Sequence, residues 1–146
     1  MKLFFKDLNK EVFYSYHDLI KDLNDASLYN AFCKSDDFYI IFKQIILSIL
    51  LDREIILLDS DFTNNELINL VGCSDFAEFN QPINGYKFSS INNYNDLIER
   101  LRSKPKKWKI TLFTSGTTGI PKKVSHDYKR ITRFVKISSQ NHKSIW

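Results

Sequence analysis

An almost uninterrupted apolar run over residues 38–51 constrains the fold of this chain more than any other feature. Its only clearly polar side chains are Lys43, Gln44 and Ser48. The run is too short to cross a bilayer and carries a charge near its middle. Its length favours a mostly buried helix, although its many isoleucines leave a strand open as an alternative. The rest of the chain must therefore cover this segment on most of its sides.

Short apolar strands and helical segments alternate around this run. The segment 54–59 is short, continuous and apolar, which is typical of an interior strand in a parallel sheet. Further strands are predicted over residues 3–5, 11–14, 109–114 and 122–126. Helices are predicted over residues 17–24, 64–71, 94–102 and 128–137, whereas residues 73–90 allow no assignment. This alternation predicts an α/β fold, with a partial, mostly parallel sheet and helices on both faces.

Capping residues mark the starts of two of these helices. Ser15 followed by Asp18 is a weaker form of the capping box, because Glu or Gln is usual at the third helical position. Thr63 followed by Glu66 has the standard form. Gly72 then lies where the second helix should end, since glycine readily adopts the left-handed conformation that closes helices.

Composition and length limit the class of protein. A chain of 146 residues with 43% hydrophobic and 26% charged residues suits one globular domain and excludes a disordered polymer. Cys33 and Cys73 lie far apart without metal-ligand spacing, so we expect two buried, reduced thiols. The N-terminal apolar run is too short for a secretory signal. We therefore expect a cytoplasmic, soluble protein with no membrane partner.

Glycine and proline are concentrated in one segment that follows a predicted strand. The chain has four glycines and three prolines, and Gly116, Gly119 and Pro121 all lie within residues 114–123. Glycine lets a backbone approach a ligand closely. Backbone N–H groups, hydroxyls and an ammonium together can form a concave site for phosphate oxygens. The side chains that would contribute are those of Ser115, Thr117, Thr118, Lys122 and Lys123.

Two familiar loops are excluded by the spacing. A Walker A loop needs glycine five residues after Gly116, where this chain has Pro121. A nucleophile elbow needs glycines two residues either side of Ser115, where this chain has Phe113 and Thr117. A polar hairpin between two strands, with no ligand, is the simplest alternative.

The order of residues in this segment closely resembles the phosphate-binding loop of the adenylate-forming (AMP-binding) superfamily, which includes acyl-CoA synthetases, peptide-synthetase adenylation domains and luciferases. The resemblance is carried by Thr114-Ser-Gly-Thr-Thr-Gly-Ile-Pro-Lys122, followed by Val124 and His126. Weaker similarity extends upstream to residue 13, with Ser60 where the family usually has proline after a Leu-Asp pair. The resemblance implies that residues 1–146 are the N-terminal portion of an adenylation domain.

This resemblance implies ATP-dependent activation of a carboxylic acid to an acyl-adenylate, followed by transfer to a thiol of CoA or a carrier protein. Lys122 would supply the cation for the ATP phosphates. ATP implies Mg²⁺, although no protein ligand for the metal is identified in this chain. The family's enzymes are several times longer, and their catalytic lysine and adenine-contacting stretch are not found here. The chain by itself is therefore expected to be incomplete as an enzyme, with no catalytic residue assigned. The residues implied to bind ATP are Thr114, Ser115, Gly116, Thr117, Thr118, Gly119, Pro121 and Lys122.

Two other functions stay open. One is a non-catalytic nucleotide- or phosphate-binding module that retains only the loop. The other is a basic nucleic-acid-binding domain, because the net charge is +4 and residues 100–109 form a basic run around Trp108. A solvated helix end and linker explains that run more simply, so nucleic acid is the least favoured partner.

Overall fold

The computed structural model describes residues 2–83, 90–103, 107–114 and 121–133, which form a mixed α/β fold. The strands of these ranges are β1 (Leu3–Asp7), β2 (Val12–Ser15), β3 (Leu28–Tyr29), β4 (Phe32–Lys34), β5 (Ile55–Leu58), β6 (Gln81–Pro82), β7 (Lys109–Thr114) and β8 (Lys122–Asp127). The helices are α1 (Tyr16–Asn24), α2 (Phe38–Leu50), α3 (Asn64–Val71), α4 (Tyr94–Arg102) and α5 (Tyr128–Thr132). The predicted helices and strands are confirmed with small shifts at their ends, and positions 134–137 of the last predicted helix lie outside the described residues.

The largest sheet has the strand order β4-β5-β7-β8. β5 runs parallel to both neighbours, with Leu58 opposite Lys34 and Ile55 opposite Ile110, so its prediction as an interior parallel strand is confirmed. β8 runs antiparallel to β7. The α/β class is confirmed, but the sheet is mixed and not cleanly parallel: two of its three strand pairs are parallel, and β1–β2 and β3–β6 form separate antiparallel pairs. The physical reason at β8 is chain length, since residues 115–121 are too few for the crossover that a parallel strand requires. Helices on both faces stay a prediction.

The apolar run forms the helix α2, which excludes the strand alternative. Its N-cap is Asp37, whose carboxylate accepts hydrogen bonds from the N–H groups of Tyr39 and Ile40. The helix is less buried than its composition predicts, because Phe38 is 61% and Phe42 45% exposed. Phe38 and Phe42 belong to neither of the two clusters of buried side chains that α2 contacts.

α2 separates two clusters of buried side chains. Ile41, Ile45 and Ile49, spaced four residues apart, pack against the sheet. The helical cluster consists of Leu19, Leu23, Tyr29, Leu47, Leu51, Ile83, Ile91 and Leu97. The sheet cluster consists of Cys33, Ile55, Trp108 and Ile110.

Both predicted capping boxes are formed. Ser15 Oγ accepts from the N–H of Asp18 and Thr63 Oγ1 from the N–H of Glu66, while each carboxylate bonds back to its cap residue. Those hydrogen bonds lower the pKa of Asp18 and of Glu66, because they stabilise the charged carboxylates. Gly72 closes α3 with a φ of 83°. The local signals at these helix ends therefore act as the sequence predicts.

The two thiols differ in environment. Both cysteines are free, but only Cys33 is buried, and its burial raises the pKa of the thiol to about 11. Cys73 is half-buried, so the prediction of two buried thiols is wrong for this residue.

In the parts of the chain that the structure describes, no helix has the length and apolar character needed to cross a bilayer.

Candidate functional site

β7 and β8 bring the two ends of the predicted phosphate loop together. Thr114, the last residue of β7, lies directly opposite Lys122, the first residue of β8. Thr114 Oγ1 donates a hydrogen bond to the carbonyl oxygen of Lys122 at 3.5 Å. The segment between them is therefore the connection of an antiparallel hairpin.

The structure places three of the predicted site residues. Thr114 and Lys122 are exposed, and Pro121 is half-buried at the entry to β8. The predicted contacts of Ser115, Gly116, Thr117, Thr118 and Gly119 lie outside the described residues. The described part of the site is thus its two-stranded base.

The hairpin leaves the sheet at the carboxyl end of β7, beside the carboxyl end of β5. The turn after β5 is closed by a hydrogen bond from the N–H of Phe62 to the carbonyl of Asp59, at 3.2 Å. The Phe62 ring packs edge-on against Phe113, with 6.4 Å between the ring centroids. Lys34 Nζ, from the end of β4, donates to the carbonyl of Ser60 in the same turn at 2.8 Å. The carboxyl edge of open α/β sheets is where such folds bind ligands.

Both signs of charge lie at this edge. The exposed ammonium groups of Lys122 and Lys123 make no ion pair with any described residue. The turn after β5 carries the exposed carboxylates of Asp59 and Asp61. An anion bound at the hairpin would be attracted by the two lysines and repelled by the carboxylates of the turn. It would therefore be expected on the side of the lysines.

The described residues do not fit a metal site supplied by the protein. Within the described ranges, no group of three or more His, Cys, Asp or Glu side chains lies close enough to hold a metal ion. Mg²⁺ usually keeps several water ligands and binds nucleotides through their phosphates, so ATP does not require such a group.

Trp108 anchors the start of β7 to α2. Its side chain is 3% exposed, and its Nε1–H donates to Ser48 Oγ at 2.8 Å. One oxygen of Asp52, just after α2, accepts from the backbone N–H groups of Lys107 and Trp108 at 2.8 and 2.9 Å. The base of the hairpin is therefore tied to the end of α2 by three hydrogen bonds.

Thr111 anchors the middle of the hairpin. It is fully buried, its Oγ1 donates to Glu54 Oε1 at 2.9 Å, and it lies 2.7 Å from Ser125 Oγ. This chain of polar groups joins β7 to β8 and to the residue before β5. These anchors could not be predicted from the sequence, because each pairs residues that are far apart in the chain.

An open cavity of about 400 Å³ lies between α1 and α2, and it shares no residue with the hairpin. Its wall includes Asp22, Lys43 and Gln44. Asp22 accepts from Tyr39 Oη at 2.9 Å and from Lys43 Nζ at 3.4 Å. Asp25 also lines the cavity, so its wall carries one more carboxylate than it has ammonium groups.

Comparison with protein-family models, curated proteins and solved structures found no match for this chain. The functional hypothesis consequently depends on the residues of the hairpin and on the geometry described above.

Proposed function

We propose that this chain supplies the ATP phosphate-binding loop of an adenylate-forming enzyme. The reaction is activation of a carboxylic acid by ATP, with a thiol of CoA or a carrier protein as the subsequent acceptor. The observation that carries the proposal is the pairing of Thr114 with Lys122 at the carboxyl end of β7. That pairing holds the two ends of the glycine- and hydroxyl-rich segment side by side, as a loop that surrounds an anion requires.

In this proposal the loop acts by electrostatic stabilisation. The carboxylate oxygen of the acid attacks the α-phosphorus of ATP, the bond from that phosphorus to the bridging oxygen breaks, and pyrophosphate leaves. Hydroxyls and backbone N–H groups of the loop stabilise the charge that develops on the leaving group. Lys122 supplies the positive charge, and no loop residue forms a covalent bond. The proposed contacts are Thr114, Ser115, Gly116, Thr117, Thr118, Gly119, Pro121 and Lys122.

The surroundings of the hairpin support this role. Positioned donors are effective only when they need not reorganise during the reaction. Trp108 holds the start of β7 through a buried hydrogen bond and Thr111 holds its middle through a partly buried one, so the strand before the loop has a rigid attachment. The exposed Lys122 ammonium, with no ion-pair partner among the described residues, is available for an anion.

The proposal extends to the fold and the setting of the protein. The mixed sheet and its helices would be the N-terminal part of a larger adenylation domain, with helices on both faces. The protein would act in the cytoplasm with Mg²⁺ bound to the phosphates of ATP.

Calorimetric titration of the chain with ATP, tripolyphosphate and AMP tests the phosphate site. We expect ATP and tripolyphosphate to bind and AMP to bind far more weakly, because AMP lacks the β- and γ-phosphates. Lys122→Ala should weaken ATP binding at least about tenfold, the scale of one hydrogen bond to a charged group. The matched control is Lys109→Ala, which removes an exposed lysine from the opposite end of β7 and should change affinity less than about twofold. Equal losses in the two variants, or AMP binding as tightly as ATP, would contradict the proposed loop.

Exchange of labelled pyrophosphate into ATP tests the adenylation step. The chain would be purified through an affinity tag from its native cells, so that any companion polypeptide is retained. We expect exchange that depends on an added carboxylic acid and that Lys122→Ala slows at least about tenfold. ATP binding without exchange would instead favour the non-catalytic nucleotide-binding module.

A further inference from the structure

Charge is distributed very unevenly along this chain. Residues 103–146 contain 11 of the 21 basic residues but only one of the 17 acidic residues. The ion pairs found in the described ranges all lie before residue 103. The exposed basic side chains described in this part of the chain are those of Lys107, Lys109, Lys122, Lys123, Lys129, Arg130 and Arg133.

β8 combines this charge with an open strand edge. In the described sheet it pairs only with β7, so among the described residues no strand meets the backbone N–H and C=O groups of its outer side. Its six residues span about 20 Å. Lys122 and Lys123 point to opposite faces at its start, and Lys129 and Arg130 follow its end in α5. The edge is therefore uncharged in its middle and basic at both ends.

The only acidic residue of this edge is already engaged. Asp127 is the N-cap of α5, and its carboxylate accepts from the backbone N–H of Arg130 at 2.7 Å. The carboxylate is exposed and keeps its negative charge, but the basic side chains of Lys122, Lys123, Lys129 and Arg130 outnumber it.

This combination favours one class of partner. Lysines on an open edge oppose pairing between two copies, because each copy brings the same charge. A flexible nucleic acid strand would need exposed aromatic rings for base stacking. Trp108 is buried, and Tyr128 is half-buried with its hydroxyl bonded to the carbonyl of Leu101. An acidic polypeptide in extended conformation satisfies both the backbone groups and the charge.

We propose that the outer edge of β8 binds an extended acidic segment of a partner protein, which adds a strand to the sheet. Backbone hydrogen bonds along β8 provide the pairing. Acidic side chains at the two ends of the segment meet the basic residues before and after the uncharged centre of β8. This surface does not depend on nucleotide binding and can be tested without ATP.

The probe is a fluorescently labelled peptide, Glu-Glu-Val-Thr-Val-Glu-Glu, with both termini blocked. We expect it to bind the 146-residue chain in an anisotropy titration and to shift the backbone amide resonances of β8. A peptide with lysine in place of each glutamate should not bind. Shifts confined to another surface would overturn the proposal.

Charge reversal on the edge provides the decisive comparison. Lys123→Glu combined with Lys129→Glu should weaken binding of the acidic peptide at least about tenfold and should allow the lysine peptide to bind. The matched control is Lys6→Glu with Lys21→Glu, which makes the same change in net charge at exposed lysines of β1 and α1 and should alter affinity less than about twofold. A lysine peptide that binds only the edge variant cannot be explained by loss of folding.

Two further outcomes would overturn the proposal. Equal weakening in the edge variant and its control would mean that overall charge, and not β8, attracts the peptide. Displacement of the peptide by a double-stranded DNA oligonucleotide of higher affinity would assign the basic surface to nucleic acid.

Discussion

The two apolar clusters on α2 are stabilised in different ways. The helical cluster contains eight buried residues drawn mainly from helices and the segments between them. The sheet cluster contains only four, and its largest member, Trp108, is also tied by a buried hydrogen bond to Ser48. Apolar burial contributes stability in proportion to area but sets few directions, whereas hydrogen bonds specify orientation. The comparison indicates that the helical cluster provides stability and that the sheet cluster orients the hairpin.

The helical cluster should show the largest loss of stability when a side chain is truncated. Leu97 is 1% exposed, so Leu97→Ala should lower the free energy of unfolding by about 3 kcal/mol through lost burial and the cavity that remains. Urea denaturation measures this loss. The control is Ile68→Ala on α3, where the side chain is 49% exposed and the loss should be below about 1 kcal/mol. Similar losses at both positions would remove the basis for assigning stability to the helical cluster.

The rate at which the Cys33 thiol is alkylated in the native protein tests how often the sheet cluster becomes exposed to solvent. Cys33 belongs to that cluster, and burial raises the pKa of its thiol from 9.0 to about 11. Two pKa units reduce the reactive thiolate about a hundredfold at pH 8, before restricted access is considered. Iodoacetamide followed by mass spectrometry should therefore modify the half-buried Cys73 at least about ten times faster than the buried Cys33. Both thiols should react alike in urea, and comparable rates in the native protein would show that the sheet cluster opens readily.

The hydrogen bond between Trp108 and Ser48 should show the smallest effect of the three. Ser48→Ala leaves a buried indole N–H without an acceptor, which should cost about 2 kcal/mol. Trp108→Phe removes the donor as well, so the double variant should be less destabilised than the sum of the single changes by about 1 kcal/mol. A double-mutant cycle by urea denaturation measures this coupling. Strict additivity would mean that the hydrogen bond between Trp108 and Ser48 contributes nothing beyond the burial of the two side chains.

Much of the secondary structure was predictable because its signals are local. The capping boxes at Ser15 and Thr63 and the left-handed Gly72 act within one helical turn, and each is confirmed. The strands β3 and β6 carry no such signal. They exist because Leu28 pairs with Pro82 and Tyr29 with Gln81, across more than fifty residues of chain. Pairing over that distance depends on the packing of the elements between and leaves no pattern in either segment.

The exposure of α2 shows a second limit of prediction from the sequence. Apolar residues on nearly every side predicted a mostly buried helix, yet Phe38, Ile40 and Phe42 are exposed. Composition reports how much apolar surface a helix carries, but the number of neighbours that cover it depends on tertiary packing.

The candidate site, too, was predictable from the sequence only in part. The order of residues 114–122 predicted a loop between two strands, and the described strands confirm its base. The roles of residues 115–119 stay predictions. The supports at Ser48, Asp52 and Glu54 were not predictable, because they contact β7 and the two residues before it from 55 to 60 residues away in the chain.

By itself, the sequence determined which segments become helices or principal strands, because caps, turns and apolar periodicity act over a few neighbouring residues. It also determined the chemistry that the segment after β7 can offer. Only the tertiary structure decided that β8 returns antiparallel as the edge strand of the described sheet, that Phe38 and Phe42 of α2 stay exposed, and that Trp108 and Thr111 anchor the hairpin. These features depend on contacts between distant parts of the chain, and such contacts form only when the whole set of elements packs together.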